Sequence, residues 1–309
     1  MPDLSVNLAP LNPNGLMLRN PVAAASGTFG YGTEYARLVA VERLGAIFSK
    51  GTTLHAWRGA PPPRLAETPG GMLNAVGLQN PGVRAVVRDK APVWERWEVP
   101  VVVNVAGETI DEYVGVAAAL EGVPGVAGLE LNISCPNVAA GGMIFGTDPA
   151  MAAAVTRAVR AVTTLPLIVK LSPNVADIRP IAVAVAAQGA DALSLINTLL
   201  GMSIDVAARR PRLGNRTGGL SGPAVKPLAV RMVYQVATVV DLPIVGLGGI
   251  TTLDDALEFF MAGASCVAVG TATFARPGAM PSLVDGLTGW MEREGVRSLD
   301  EIVGAAHQN

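Results

Sequence analysis

The chain has 309 residues, of which 50% are hydrophobic and 16% charged, and its formal net charge is −2. This balance offers no basic surface for a nucleic acid backbone, and the length fits one large α/β domain. No apolar stretch approaches about 18 residues and no signal-peptide pattern opens the chain, so we expect a cytoplasmic protein without a membrane span.

Short apolar runs alternate with amphipathic segments, a rhythm typical of repeated βα units. Eight runs are nearly continuous in apolar residues, as strands buried on both faces are. These candidate strands cover residues 22–25, 46–49, 101–105, 129–133, 167–171, 192–196, 244–247 and 266–269. Eight parallel strands with eight helices close most simply as a single TIM barrel over residues 1–309, and an open doubly wound sheet is the structural alternative.

Capping residues mark several helix boundaries. Thr147-Asp148-Pro149 predicts a helix start with a cap and a proline at the first position, and Thr251-Thr252 before two aspartates predicts another. The glycines that we expect to end helices are Gly122, Gly189 and Gly263.

Two connections are longer than a βα loop needs, namely residues 51–80 and 199–222. Long connections in a compact domain are usually functional. Both follow predicted strands, so we expect both as insertions at the C-terminal face of the barrel, where barrel enzymes place their chemistry.

Polar side chains collect at the C-terminal ends of the predicted strands. They are Ser26, Ser49, Lys50, Asn104, Asn132, Ser134, Cys135, Lys170, Asn197 and Thr198. Burying a lysine is costly unless the ammonium meets an anion or an electron-rich ring. A lysine can also extend to solvent, but two lysines with three asparagines favour a binding site.

Glycine pairs follow the last two predicted strands. Gly248-Gly249 and Gly270-Thr271 can expose backbone N–H groups where barrels commonly bind phosphate, although tight packing alone also explains a glycine pair. A dinucleotide fingerprint would need glycine where Thr251 stands. With the lysines nearby, these features favour FMN as the cofactor.

The two cysteines differ in their surroundings. Cys266 lies within an apolar strand and is interpreted as a packed thiol, whereas Cys135 follows a strand in a polar turn. Neither histidine, His55 or His307, is placed to pair with Cys135, which disfavours a hydrolase-type nucleophile and favours a proton acceptor. Two cysteines are too few for an iron–sulfur cluster.

Five motifs in this chain resemble those of the class 1 dihydroorotate dehydrogenases, particularly the B-type subgroup. They are Ala25-Ser26-Gly27, Ser49-Lys50-Gly51, Asn74-Ala75-Val76-Gly77-Leu78-Gln79-Asn80, Asn132-Ile133-Ser134-Cys135-Pro136-Asn137 and Gly142-Met143-Ile144-Phe145-Gly146. The resemblance implies oxidation of (S)-dihydroorotate to orotate in pyrimidine biosynthesis. Cys135 would remove the C5 proton while hydride passes from C6 to FMN.

The resemblance also implies the residues of the two binding sites. For FMN they are Ser26, Ser49, Lys50, Asn104, Asn132, Lys170, Ile196, Gly222, Gly248, Gly249, Gly270 and Thr271. For the substrate they are Lys50, Asn74, Ala75, Val76, Gly77, Leu78, Asn132, Asn197 and Thr198.

The resemblance to B-type enzymes also implies a partner for this chain. Those enzymes pass electrons to NAD through a second subunit that carries FAD and a [2Fe-2S] cluster. A homodimer within a heterotetramer is the implied assembly. Three alternatives remain open: an A-type enzyme that uses fumarate, an enzyme similar to dihydropyrimidine dehydrogenase, and a barrel that only binds a phosphorylated ligand.

Overall fold

The computed structural model describes residues 2–134 and 145–308. Eight parallel strands form a closed barrel in which neighbours along the chain are paired and the last strand pairs with the first. The barrel strands are β1 (Val22–Ala24), β2 (Ala46–Phe48), β3 (Val101–Val105), β4 (Gly128–Asn132), β5 (Leu167–Lys170), β6 (Ala192–Leu195), β7 (Ile244–Leu247) and β8 (Cys266–Val269). The predicted TIM barrel is confirmed, and each predicted strand bound lies within one residue of the observed one.

Helices surround the barrel from the second βα unit onwards. They are α1 (Val83–Asp89), α2 (Ala91–Trp94), α3 (Ile110–Leu120), α4 (Pro149–Arg160), α5 (Arg179–Ala186), α6 (Lys226–Ala237), α7 (Leu253–Met261), α8 (Ala272–Ala275) and α9 (Ala279–Glu294). Within the described residues, no helix has the length and apolarity needed to cross a bilayer.

The first βα unit departs from the predicted pattern of one helix per strand. Residues 25–45, between β1 and β2, are all described and contain only the short 3-10 helix Val41–Arg43. Four glycines, Gly27, Gly30, Gly32 and Gly45, fall within this segment, and glycine disfavours a helix interior by about 1 kcal/mol. This segment therefore crosses the outside of the barrel as turns.

The predicted caps explain where α4 and α7 begin. The Asp148 side chain accepts a hydrogen bond from the backbone N–H of Met151, with Pro149 at the first helical position. Thr252 and Asp255 form a capping box at the start of α7. Both satisfy backbone donors that the first helical turn leaves free.

The barrel interior is apolar in its lower part, the half towards the N-terminal ends of the strands. Alternate residues of the strands, such as Ala46, Val102 and Ile168, point inward and pack together. A short hairpin of Val6–Asn7 with Met17–Leu18 closes this end, where Leu8 and Leu18 join the interior cluster. The N-terminal end of the barrel is therefore filled, and the opposite end is left for a site.

A four-stranded antiparallel sheet stands at the C-terminal end of the barrel. It is built from Leu65–Thr68, Gly71–Asn74, Thr217–Ser221 and Leu199–Met202. These strands lie in the two long connections that the sequence marked as insertions. A second small sheet, Ile204–Asp205 with Arg210–Pro211, extends the later connection.

Candidate active site

Strand register gathers five polar side chains in the upper layer of the barrel. Asn104 on β3 is the partner of Glu130 on β4, Asn132 on β4 is the partner of Lys170 on β5, and Lys170 is the partner of Ser194 on β6. All five point inward, because inward residues alternate along each strand. Each is at most 7% exposed, so their polar groups depend on one another and on whatever occupies the cavity.

Glu130 is the centre of this layer. Its carboxylate accepts hydrogen bonds from Asn104 Nδ2 at 2.5 Å and from Ser194 Oγ at 2.7 Å. Lys170 Nζ lies 3.8 Å from the same carboxylate and donates to Ser26 Oγ at 2.9 Å. The buried negative charge is thus paired and hydrogen-bonded, as a buried charge must be to be tolerated.

A second set of hydrogen bonds fixes Asn132 at the end of β4. Its Oδ1 accepts from Ser134 Oγ at 3.0 Å and from Asn197 Nδ2 at 3.3 Å. Its Nδ2 donates to Asn104 Oδ1 at 3.3 Å, and Tyr113 OH donates to its backbone carbonyl. The ends of β3, β4 and β6 are therefore held together by amide and hydroxyl groups.

Lys50 lines the same cavity from the end of β2. Burial lowers the pKa of its ammonium below the usual range, and the positive charge of Arg64 lowers it further, while Glu34 opposes the shift. A half-buried ammonium in this setting is stabilised by an anion, so Lys50 is suited to an anionic ligand.

The four-stranded sheet contributes the other wall of the cavity. Asn74 Nδ2 donates to the backbone carbonyl of Gly219 at 3.1 Å, which holds two of its strands in register. Val76, Gly77 and Leu78 follow and line the cavity. Leu78 has a φ of 55°, a left-handed conformation that a residue with a side chain rarely adopts.

Glycine-rich turns form the end of the cavity after β7 and β8. A Cβ placed on Gly249 would lie 2.9 Å from the carbonyl oxygen of Gly222 and 3.0 Å from the backbone nitrogen of Lys226. Among the described residues, the N–H groups of Gly249, Gly270 and Thr271 have no hydrogen-bond acceptor. Such donors at a cavity wall are suited to phosphate oxygens.

Asp255 holds the turn after β7 in place. Partial burial raises the pKa of its carboxyl group, but hydrogen bonds from Lys226, Thr251 and Thr252 outweigh burial, so the pKa lies well below its usual range. Lys226 Nζ donates to it at 2.7 Å. The glycine turn is therefore fixed between α6 and α7 before any ligand binds.

The structure brings most of the predicted site residues to one cavity. Its lining includes Ser26, Lys50, Asn74, Val76, Gly77, Leu78, Asn104, Asn132, Lys170, Ile196, Asn197, Thr198, Gly222, Gly248, Gly249, Gly270 and Thr271. Ser49 and Ala75 are fully buried behind this lining. Ser49 Oγ is 3.4 Å from the backbone nitrogen of Asn104, and Ala75 donates its N–H to the carbonyl of Arg64, so both support the wall. Cys135 lies outside the described residues.

Sequence reasoning missed Glu130 and Ser194 in the barrel interior and Ser221 in the cavity wall. Glu130 is a lone carboxylate in the otherwise apolar run Leu129-Glu130-Leu131. That pattern was a usable signal, because a charge buried in a central strand needs a partner. Ser194 and Ser221 carried no comparable signal, since serine is tolerated in many environments.

Cys266 lies in the barrel interior, within the lower apolar layer. Burial raises the pKa of its thiol far above the usual range. A thiol without solvent access or a stabilising charge is unreactive, which agrees with the packed role expected for it.

Known proteins resemble this chain over nearly its full length. A model of the family described as dihydroorotate dehydrogenase matches residues 10–291. The dihydroorotate dehydrogenase B (NAD(+)) catalytic subunit of Desulforudis audaxviator is 60% identical over 95% of this chain and 96% of its own length. The protein of the same name from Pelobacter propionicus is 55% identical over 98% of both chains.

A solved structure shares the fold. The crystal structure of DHODH from Eimeria tenella in complex with ferulenol superimposes with a TM-score of 0.81 at 22% identity. The superposition covers 100% of this chain and 90% of the Eimeria tenella chain. At this identity the likeness shows the shared fold alone.

Proposed function

This chain belongs to the dihydroorotate dehydrogenase family, and we propose that it oxidises (S)-dihydroorotate to orotate in pyrimidine biosynthesis as a B-type catalytic subunit. The observation that carries the proposal is the cavity that combines Lys50, Lys170 and four asparagines with glycine turns. Such a cavity suits a planar, electron-accepting ring with a phosphate tail and a small carboxylic acid beside it.

The cavity fits FMN as the cofactor. The unpaired N–H groups of Gly249, Gly270 and Thr271 would hold its phosphate, together with Gly222 and Gly248. The ring would lie against Ser26, Asn104, Asn132, Lys170 and Ile196, with Lys50 at its edge and Ser49 behind that wall. FMN bound here supplies a two-electron acceptor for hydride.

The substrate would occupy the part of the cavity between Lys50 and the four-stranded sheet. Lys50 would be the cation for the substrate carboxylate, because its half-buried ammonium lines the cavity and an anion there would offset the burial that lowers its pKa. The amides of Asn74, Asn132 and Asn197 would hold the ring, with residues 75–78 and Thr198 around them. Lys50 and Asn132 would contact cofactor and substrate together, which orients the reacting carbon.

Cys135 is the proposed base. It follows Ser134 directly, and Ser134 Oγ is bonded to Asn132 and Asn197 at the cavity. The thiolate would accept the proton from C5 while hydride leaves C6, so that a C5=C6 double bond forms and no covalent bond to the enzyme is made.

Electrons would leave through a partner protein. The relatives are named catalytic subunits of an NAD(+)-linked enzyme, and this chain has neither four cysteines nor a dinucleotide fingerprint. The proposed partner carries FAD and a [2Fe-2S] cluster, and two copies of each chain would form a heterotetramer.

A visible spectrum of the purified chain tests the proposal. Flavin bands should be present after loading with FMN, and they should bleach on anaerobic addition of dihydroorotate. Dihydrouracil is the control, because it lacks the carboxylate that Lys50 would bind. Absence of flavin bands, or bleaching by dihydrouracil and not by dihydroorotate, would contradict the proposal.

A further inference from the structure

Glu130 is a carboxylate buried inside the barrel. The residue is 1% exposed and points inward from the middle of β4. Removing a carboxylate from water costs several kcal/mol. A carboxylate is therefore kept at such a position when it does something that a neutral side chain would not.

The partners of Glu130 are side chains that face the cavity or support those that do. Asn104 and Lys170 both line the cavity, and Ser194 sits behind them on β6. Glu130 holds the amide of Asn104 at 2.5 Å and the ammonium of Lys170 at 3.8 Å. One buried group thus determines where two cavity-lining donors point.

Lys170 retains the capacity to bind a ligand. An ammonium has three N–H donors, and in the described part of the chain one goes to Ser26 Oγ at 2.9 Å and one points toward Glu130. Because Lys170 lines the cavity, a donor and its positive charge are available to a ligand there. Glu130 then acts as a counter-charge on the far side of that ammonium.

We propose that Glu130 is a positioning residue that fixes Asn104 and Lys170 and offsets the charge of Lys170, thereby lowering the reduction potential of the bound flavin. The inference rests on the proposed FMN site. A flavin gains negative charge on reduction, so a positive side chain at its edge favours the reduced form and a carboxylate behind that side chain opposes it. A lower potential suits an enzyme whose electrons must travel on to NAD.

Midpoint potentials of the FMN-loaded protein test this inference. Glu130→Gln keeps the shape and removes the charge, because its amide oxygen accepts from Asn104 while its NH2 group donates to the Ser194 hydroxyl, which can also accept. We expect the equilibrium constant for two-electron reduction to rise at least about tenfold, a shift of ~30 mV to more positive potential. Glu121→Gln is the matched control, because Glu121 accepts hydrogen bonds from Thr163 and Thr164 before the start of β5, at the opposite end of the barrel.

An unchanged potential in Glu130→Gln overturns the inference and leaves the proposed function intact. Failure of the wild-type chain to bind FMN is a separate result, which contradicts the proposed function itself.

A second pair of variants covers the case in which Glu130→Gln does not fold because Lys170 is left unpaired. Lys170→Met should lower the potential, and adding Glu130→Gln to it should raise the potential again. This double variant contains neither buried charge. Equal potentials in Lys170→Met and in the double variant would show that the carboxylate has no electrostatic effect on the flavin.

Discussion

Lys50 and Lys170 both face the cavity, but their electrostatic surroundings differ. Lys170 has the carboxylate of Glu130 at 3.8 Å, whereas Lys50 has no ion-pair partner among the described residues. Burial, and then Arg64, lowers the pKa of Lys50. An anionic ligand beside Lys50 would therefore stabilise its protonated form.

The affinity for orotate should fall with rising pH, and the fall should begin below the ordinary lysine pKa of 10.5. Lys50 must be protonated to pair with the carboxylate, so affinity drops about tenfold per pH unit above its pKa in the free enzyme. Arg64→Gln removes a neighbouring positive charge, which raises that pKa and moves the fall to higher pH. Orotate titrations of the flavin spectrum at several pH values measure this.

Arg84→Gln is the control for this experiment, because Arg84 is exposed on α1 and does not line the cavity. Its pH profile should coincide with that of the wild type. Binding that stays constant up to the ordinary lysine range would contradict the placement of Lys50 at the carboxylate.

At the residue scale, strand ends were the most predictable feature. Asn104, Asn132 and Lys170 follow or end apolar runs, so their position at the mouth was evident from the pattern alone. The contacts among them were not, because register between strands decides which side chains meet. Glu130 shows this: it bonds to Ser194, 64 residues later in the chain.

At the scale of elements, the connections after β2 and β6 were predicted as long insertions. In the structure, strands from both connections form one four-stranded sheet. Leu65–Thr68 and Gly71–Asn74 form a local hairpin, but the second of these pairs with Thr217–Ser221. Local patterns carry no signal for such distant pairing. These strands are also short and partly exposed, so they lack the continuous apolar runs that identified the barrel.

The turn after β7 gives a prediction for the phosphate site. Gly249→Ala should lower FMN affinity at least about tenfold, because a Cβ at a φ of 81° would press on Gly222 and Lys226. The new methyl group forces the turn to move, and its N–H groups move with it. FMN titration of the apoprotein, followed by flavin fluorescence, measures the effect.

Gly278→Ala is the control for this titration, because nothing lies within 4 Å of a Cβ placed at that position. Its FMN affinity should match the wild type. Equal affinity in both variants would show that the turn after β7 does not hold the phosphate.

At the scale of the whole molecule, barrel closure was predictable because eight buried strands recur at βα spacing. The absence of an α-helix between β1 and β2 was not predicted, because glycine-rich turns can connect two strands as a helix does. The proposed route of the electrons through a partner agrees with the composition, since the chain has two cysteines and no dinucleotide fingerprint.

The isolated FMN-loaded chain should therefore reduce NAD poorly with dihydroorotate as donor. Adding a partner subunit that carries FAD and [2Fe-2S] should restore NAD reduction, followed as NADH absorbance. Efficient turnover of fumarate by the isolated chain would instead indicate an A-type enzyme, which uses the substrate pocket for both half-reactions.

The most direct test of the account is the rate at which dihydroorotate reduces the bound flavin in Cys135→Ala, measured by anaerobic stopped-flow absorbance beside Cys266→Ala. Cys135→Ala should retain FMN and reduce it about 10²–10⁴-fold more slowly, because the base for the C5 proton is lost. Cys266→Ala should stay close to the wild-type rate. Equal rates in the two variants would contradict the assignment of Cys135 as the base.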